Sequence, residues 1–176
     1  MLLLAVPPVE ELDLIAPVEV FGTANRLLRP NKPVYLVEVV TNARNRQIKG
    51  ECGLRLLADR HFTEGEQNPD SVLVICGTEA RHTRDRQLLD WLGAVASRAR
   101  RVGSVCIGAY LLAEAGLLDS KRATVHWKYA RELATSYPSV CVDPNPIWVQ
   151  DGNLYTSAGF SAGIDLALAW VEQDHG

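Results

Sequence analysis

Four runs of almost unbroken apolar residues recur along this chain with helix-like segments between them, and that alternation constrains the fold more than any other feature. The runs are Leu2 to Val6, Val34 to Thr41, Ser71 to Cys76 and Val102 to Val105. A strand that is apolar at every position is buried on both faces, as in a mostly parallel sheet covered by helices on each side. A half-exposed strand would alternate instead. The spacing predicts helices over Ile15 to Leu28, Asp85 to Ala99, Trp127 to Tyr137 and Ile164 to Glu172. Pro17 is placed in the first turn of the first of these, and Pro30 and Pro33 fence its end. Polar, glycine-punctuated sequence from Arg44 to Leu57 reads as short strands or a hairpin, Gln47 to Lys49 and Leu54 to Leu57, beside the main sheet. Ala123 to His126 is strand-like, and Ile147 to Thr156 is a hairpin turning at Asp151-Gly152. One α/β domain over residues 1–176 accounts for all of it.

Composition narrows function by exclusion. A net charge of −3 gives this chain by itself no grip on a phosphate backbone. The four cysteines, Cys52, Cys76, Cys106 and Cys141, are far apart with no C-x-x-C, so no metal site is expected. Neither dinucleotide nor P-loop glycine patterns occur, and no cofactor is expected. Met1 to Val6 lacks a basic flank and is too short for a signal core, and no apolar run is long enough to span a bilayer. The expectation is a cytoplasmic chain with reduced thiols and no membrane partner.

Reactive residues in such sheets gather at the carboxyl ends of strands. Cys106 falls at such an end, in Val102-Gly-Ser-Val-Cys106-Ile-Gly-Ala-Tyr110, with small residues opening a helix behind it. Helix N–H groups aimed at the sulfur favour thiolate, so Cys106 is expected to alkylate below pH 8, ahead of the other thiols. Cys76 ends another strand and is its rival; Cys52 and Cys141 read as structural. His126 is a candidate to take the thiol proton or to face the thiolate as imidazolium. Asp13, between Leu12 and Leu14, reads either as a helix-start charge or as a half-buried carboxyl that moves protons. The N–H of Ile107 and an N–H from Gly77-Thr78 are the natural oxyanion donors. Asp165 falls in the first turn of the last helix and reads as a capping charge.

The segments Glu11-Leu-Asp-Leu-Ile-Ala-Pro-Val-Glu-Val-Phe21, Ser104-Val-Cys-Ile-Gly-Ala-Tyr-Leu-Leu-Ala-Glu-Ala-Gly-Leu-Leu118, Arg122-Ala-Thr-Val-His-Trp127 and Thr156-Ser-Ala-Gly-Phe-Ser-Ala-Gly-Ile-Asp-Leu-Ala-Leu168 together carry a family resemblance. The chain resembles the ThiJ/PfpI branch of the class I glutamine amidotransferase-like superfamily. More narrowly, it is similar to the amidase-like N-terminal domain of AraC-type transcriptional regulators; isonitrile hydratases share much of the pattern. The resemblance implies a flavodoxin-like three-layer sandwich, a nucleophile elbow at Cys106, Asp13 as the acid beside it, His126 after the next strand, and a homodimer. It also implies a domain that senses a small-molecule ligand, with DNA bound only through a helix-turn-helix module downstream of this chain. A stand-alone cysteine-dependent hydratase or amidohydrolase is the alternative, and a redox or glyoxal-handling protein in which Cys106 is oxidised reversibly is the third reading. Three departures from the pattern bear on the choice. Ile107 stands where peptidase-like members carry histidine and isonitrile hydratases threonine. Cys76-Gly77 replaces a glycine pair, and the sequence stops where a regulator would continue.

Overall fold

A computed structural model describes residues 1–29, 31–65 and 68–176, so Pro30 lies outside the described residues. The strands are β1 (Leu2–Val6), β2 (Glu38–Thr41), β3 (Gln47–Lys49), β4 (Arg55–Leu57), β5 (Arg60–His61), β6 (Ser71–Cys76), β7 (Arg101–Val105), β8 (Arg122–Ala123), β9 (Cys141–Val142), β10 (Trp148–Asp151) and β11 (Leu154–Ser157). The helices are α1 (Glu11–Leu28), α2 (Arg86–Ala96), α3 (Ala109–Glu114), α4 (Ala130–Ser136) and α5 (Ser161–His175).

Seven strands make one sheet in the order β10-β11-β7-β6-β1-β2-β5, parallel throughout except between β10 and β11. The apolar runs lie at its centre: β1, β6 and β7 are buried at every residue. Both faces are covered, as one strand shows. A side chain at Gly103 would strike Trp170 of α5, whereas the turn leading into α3 packs on the neighbouring Ser104. Successive strand residues point to opposite faces, so α5 and that turn lie on opposite sides.

Several boundaries differ from the sequence expectations, each for a local reason. Helix α1 starts at Glu11, so Pro17 sits in its second turn; lacking an N–H, it leaves the Asp13 carbonyl without its helical donor. Only Glu38 to Thr41 of the second run pairs as a strand, because the N–H groups of Val34 and Tyr35 both donate to Asn25 Oδ1 at 2.8 Å. Helix α2 stops at Ala96 rather than Ala99, and Asp85 caps its start by accepting from the Leu88 N–H. Strand β8 ends at Ala123, since the Thr124 N–H turns to the Thr156 hydroxyl at 2.8 Å. Gly152, at φ 66°, takes the first central position of the β10–β11 turn, and the two turn residues are Gly152-Asn153. Helix α5 begins at Ser161, which puts Asp165 past the first turn, out of reach of the cap.

Helix α5 is clamped at its far end, where Asp174 accepts from Arg101 (2.7 Å), Arg100 (2.9 Å) and the Tyr35 hydroxyl (2.9 Å). With α1 it also presents an exposed apolar face carrying Leu12, Ile15, Leu27 and Leu168. No described helix is long and apolar enough to cross a membrane.

Candidate functional site

The chain leaves β1 for β2 on one side and later returns to β6 on the other, so the connections after β1 and β6 diverge at their carboxyl ends. Such switch points are where α/β sheets leave room for chemistry. The ends of β7 and β11 lie in the same row. Val105 is extended (φ −111°, ψ 135°), Cys106 swings to φ 55°, and a tight turn then leads into α3. A left-handed conformation at a residue other than glycine is strained and persists only where its surroundings impose it. Here they do: a side chain at Gly108 would run into the Val74 carbonyl, and one at Gly159 would lie 2.6 Å from the Cys106 sulfur. Gly159, at φ 96°, is the roof of the thiol. Cys106 is left 1 % exposed.

Asp13, from the first turn of α1, is completely buried beside that thiol. Its Oδ1 accepts the Phe160 N–H at 2.7 Å. Its Oδ2 accepts no hydrogen bond among the described residues, while the Cys106 thiol lies close enough to the carboxyl to favour its ionised form. Burial pushes the Asp13 carboxyl up to about 6, against the opposing pull of the Phe160 N–H and the thiol. Burial also drives the Cys106 thiol well above its ordinary value, and the Asp13 carboxylate adds to it; the Ile107 N–H pulls the other way and loses. The expectation of a thiolate favoured by helix N–H groups is therefore overturned: desolvation and a like charge outweigh the dipole. The balance of these causes favours the protonated thiol beside the Asp13 carboxyl. Iodoacetamide at neutral pH is accordingly expected to modify the exposed Cys141 before Cys106. Peptide mass spectrometry reads the order directly, and a faster Cys106 overturns this picture.

The other expected residues are brought near, but not as foreseen. His126 is half-buried at the start of the turn before α4; its Nδ1 accepts the Lys128 N–H at 3.3 Å, which leaves the ring proton on Nε2. Burial, then Lys128, lower its pKa. Its ring stands 5.9 Å from that of Phe160, one layer out from the thiol. The Gly77 N–H donates to the Pro8 carbonyl at 2.6 Å and the Thr78 N–H to Glu51 Oε1 at 2.7 Å, so both amides of that loop have partners. Ile107 is buried, and its N–H faces the sulfur. Cys76 is fully buried, and desolvation, then Asp13, push its thiol up. Cys52 and Cys141, read as structural, are exposed.

Three residues that position the site went unread in the sequence: Gly159, Phe160 and Glu51. The first two lie in Ala158-Gly-Phe-Ser161, whose small residues were a signal that the chain approaches something closely. Glu51 carries no local signal. Among the described residues one group, Glu10, Glu11 and Cys52, brings potential metal-ligand atoms within 4.8 Å of one another. The Glu11 oxygens there already accept the N–H groups of Cys52 (2.9 and 3.1 Å) and Leu54 (3.1 Å), so the group anchors the β3–β4 turn to α1.

Comparison with known proteins bears on this arrangement. The family described as DJ-1/PfpI family matches residues 1–173. Isonitrile hydratase from Pseudomonas putida is 35 % identical over 172 residues, covering 95 % of this chain and 68 % of that protein. The HTH-type transcriptional regulator GbdR from Pseudomonas aeruginosa is 32 % identical over 131 residues, 74 % of this chain but 35 % of the regulator. The chain thus spans about a third of that regulator's length. Among solved structures, an AraC family transcriptional regulator from Pseudomonas putida superposes with a TM-score of 0.84 at 20 % identity, over 99 % of this chain and 92 % of that one. At that identity the likeness concerns the fold.

Proposed function

The chain belongs to the DJ-1/PfpI family, and from that premise we propose that it is the ligand-sensing regulatory domain of an AraC-type transcriptional regulator, with the small-molecule ligand held around the Cys106 elbow. The observation that carries the reading is the state of the site. The thiol is 1 % exposed, roofed by Gly159 and driven towards its protonated form. The amides of Gly77 and Thr78, which would stabilise an oxyanion, are both occupied. A nucleophile built for turnover needs an ionisable thiol. A recognition site does not. The regulator relatives support the same reading, with DNA contacted through a separate downstream module. A cytoplasmic homodimer belongs to this reading, and the exposed apolar face along α1 and α5 is the surface on which a second copy would sit.

One observation favours a second reading as an isonitrile hydratase-like enzyme. Asp13, titrating at about 6 beside the thiol, can take the Cys106 proton as sulfur bonds to the terminal carbon of an isonitrile, then return it to that carbon. Water adding to the resulting thioimidate would expel the thiol and leave a formamide. Cyclohexyl isocyanide is the probe. The sensing domain is expected to leave it unchanged, and the gene downstream of Gly176 to continue into a helix-turn-helix module. Formamide production that disappears in Cys106→Ala would overturn the sensor reading in favour of the hydratase.

A further inference from the structure

The Glu51 carboxylate occupies a donor that belongs, by position, to whatever binds beside Cys106. Strands β6 and β7 are neighbours in register, Ile75 against Val105, so the Gly77-Thr78 loop opens next to the Cys106 corner. Gly77 has no side chain, and one placed there would collide with Glu51 Oε1. The slot therefore exists because residue 77 is glycine, and Glu51 Oε1 fills it, accepting the half-exposed Thr78 N–H at 2.7 Å. Arg81 stands alongside, donating to the Thr78 carbonyl and lying 5.1 Å over the Tyr129 ring.

The hold on Glu51 is light. Its backbone is fixed, its N–H donating to the Val9 carbonyl at 2.8 Å, and the rest of the β3–β4 turn is tied down by Glu11. The side chain itself is exposed and, among the described residues, forms no ion pair. Glu10 is close enough to be destabilised as a carboxylate, by burial first and by Glu51 second. A carboxylate with one amide donor, no ion pair among the described residues and a like charge beside it is lightly held.

We propose that Glu51 is a built-in stand-in for a ligand carboxylate, and that the ligand of this site is a small carboxylic acid whose anionic end displaces Glu51 from the Thr78 amide. The proposal rests on the reading that a small molecule binds beside Cys106, and it adds the chemical class of that molecule. Binding would release Glu51 into solvent and so change the surface of the β3–β4 turn.

Acetate is the simplest probe, titrated into nitrogen-15-labelled protein while the Thr78 amide resonance is followed, with chloride at matched ionic strength as control. Removal of the stand-in in Glu51→Ala is expected to tighten acetate binding at Thr78 roughly tenfold, the worth of one charge-assisted hydrogen bond. Glu51→Gln keeps an oxygen on the Thr78 N–H while losing the charge, so its affinity stays within about threefold of the parent chain. Equal gains in both variants would mean a purely electrostatic effect and overturn the proposal, as would no saturable shift at Thr78 in either. If the proposal fails while the gene continues into a helix-turn-helix module, the domain remains a sensor of a ligand without a carboxylate, so the two failures are distinguishable.

Discussion

Gly159→Ala is expected to lower stability by about 3 kcal/mol or more, a fall in Tm on the order of 10 °C for a domain of this size. Two terms add. At φ 96° an alanine is held in backbone space that L side chains avoid, at about 1–2 kcal/mol. Its methyl would also meet Cys106 at 2.5 Å from Cβ, 2.6 Å from sulfur and 3.0 Å from Cα, none of which a flexible tip can relieve. The neighbours explain why: Cys106 is pinned at φ 55°, and Phe160 behind it is tied to Asp13. A double variant separates the terms. Cys106→Gly removes both the Cβ and the sulfur and suits a positive φ, so in that background Gly159→Ala should lose its backbone share and only the milder 3.0 Å contact with Cα. Denaturant unfolding of the four proteins measures the coupling. Additive losses would show that Gly159 does not roof the thiol.

That roof marks where sequence reading stops. The central sheet was legible, because strands apolar at every position have few places to go except between two helical layers, and β1, β6 and β7 are such strands. The Cys106 corner was legible for a related reason: a β-branched strand running into Cys-Ile-Gly-Ala must turn sharply. The thiol's protonation was not, because it is decided by Asp13 and by burial, both supplied by distant segments. Likewise Gly159 acquires its role only when β11 pairs with β7, Ser157 against Val105, so that the next residues emerge over the sulfur. The partners of the Gly77 and Thr78 amides were not legible because Pro8 and Glu51 lie on other loops. The second apolar run was overextended because a single asparagine, Asn25, claims two of its N–H groups. Periodicity reports which residues are buried; it is silent on which side chain from another element will reach a given amide.

Asp13→Asn is expected to stabilise the protein at about pH 7.5 by roughly 3 kcal/mol, with the advantage falling to about 1 kcal/mol near pH 4.5. The sign follows from the direction of the shift. Burial raises the Asp13 carboxyl from 3.8 to about 6 in the folded chain. The folded state thus holds the proton more tightly than the unfolded state does. Its contribution to stability is complete below about pH 3.8 and is lost as pH rises through about 6. Above that the fold carries a buried charge with one formed hydrogen bond, to the Phe160 N–H. Asparagine keeps an oxygen for that N–H and removes the charge. Urea unfolding at the two pH values reads the difference, and a pH-independent gap would mean that Asp13 is not the titrating group. The same substitution removes the like charge that helps to hold Cys106 protonated, so the thiol should ionise at lower pH in the variant. A carboxylate that weakens the fold at neutral pH is retained where its charge is used. Here the charge acts locally: after burial, the larger cause, it helps to hold protonated the thiol that the strained corner and the Gly159 roof enclose.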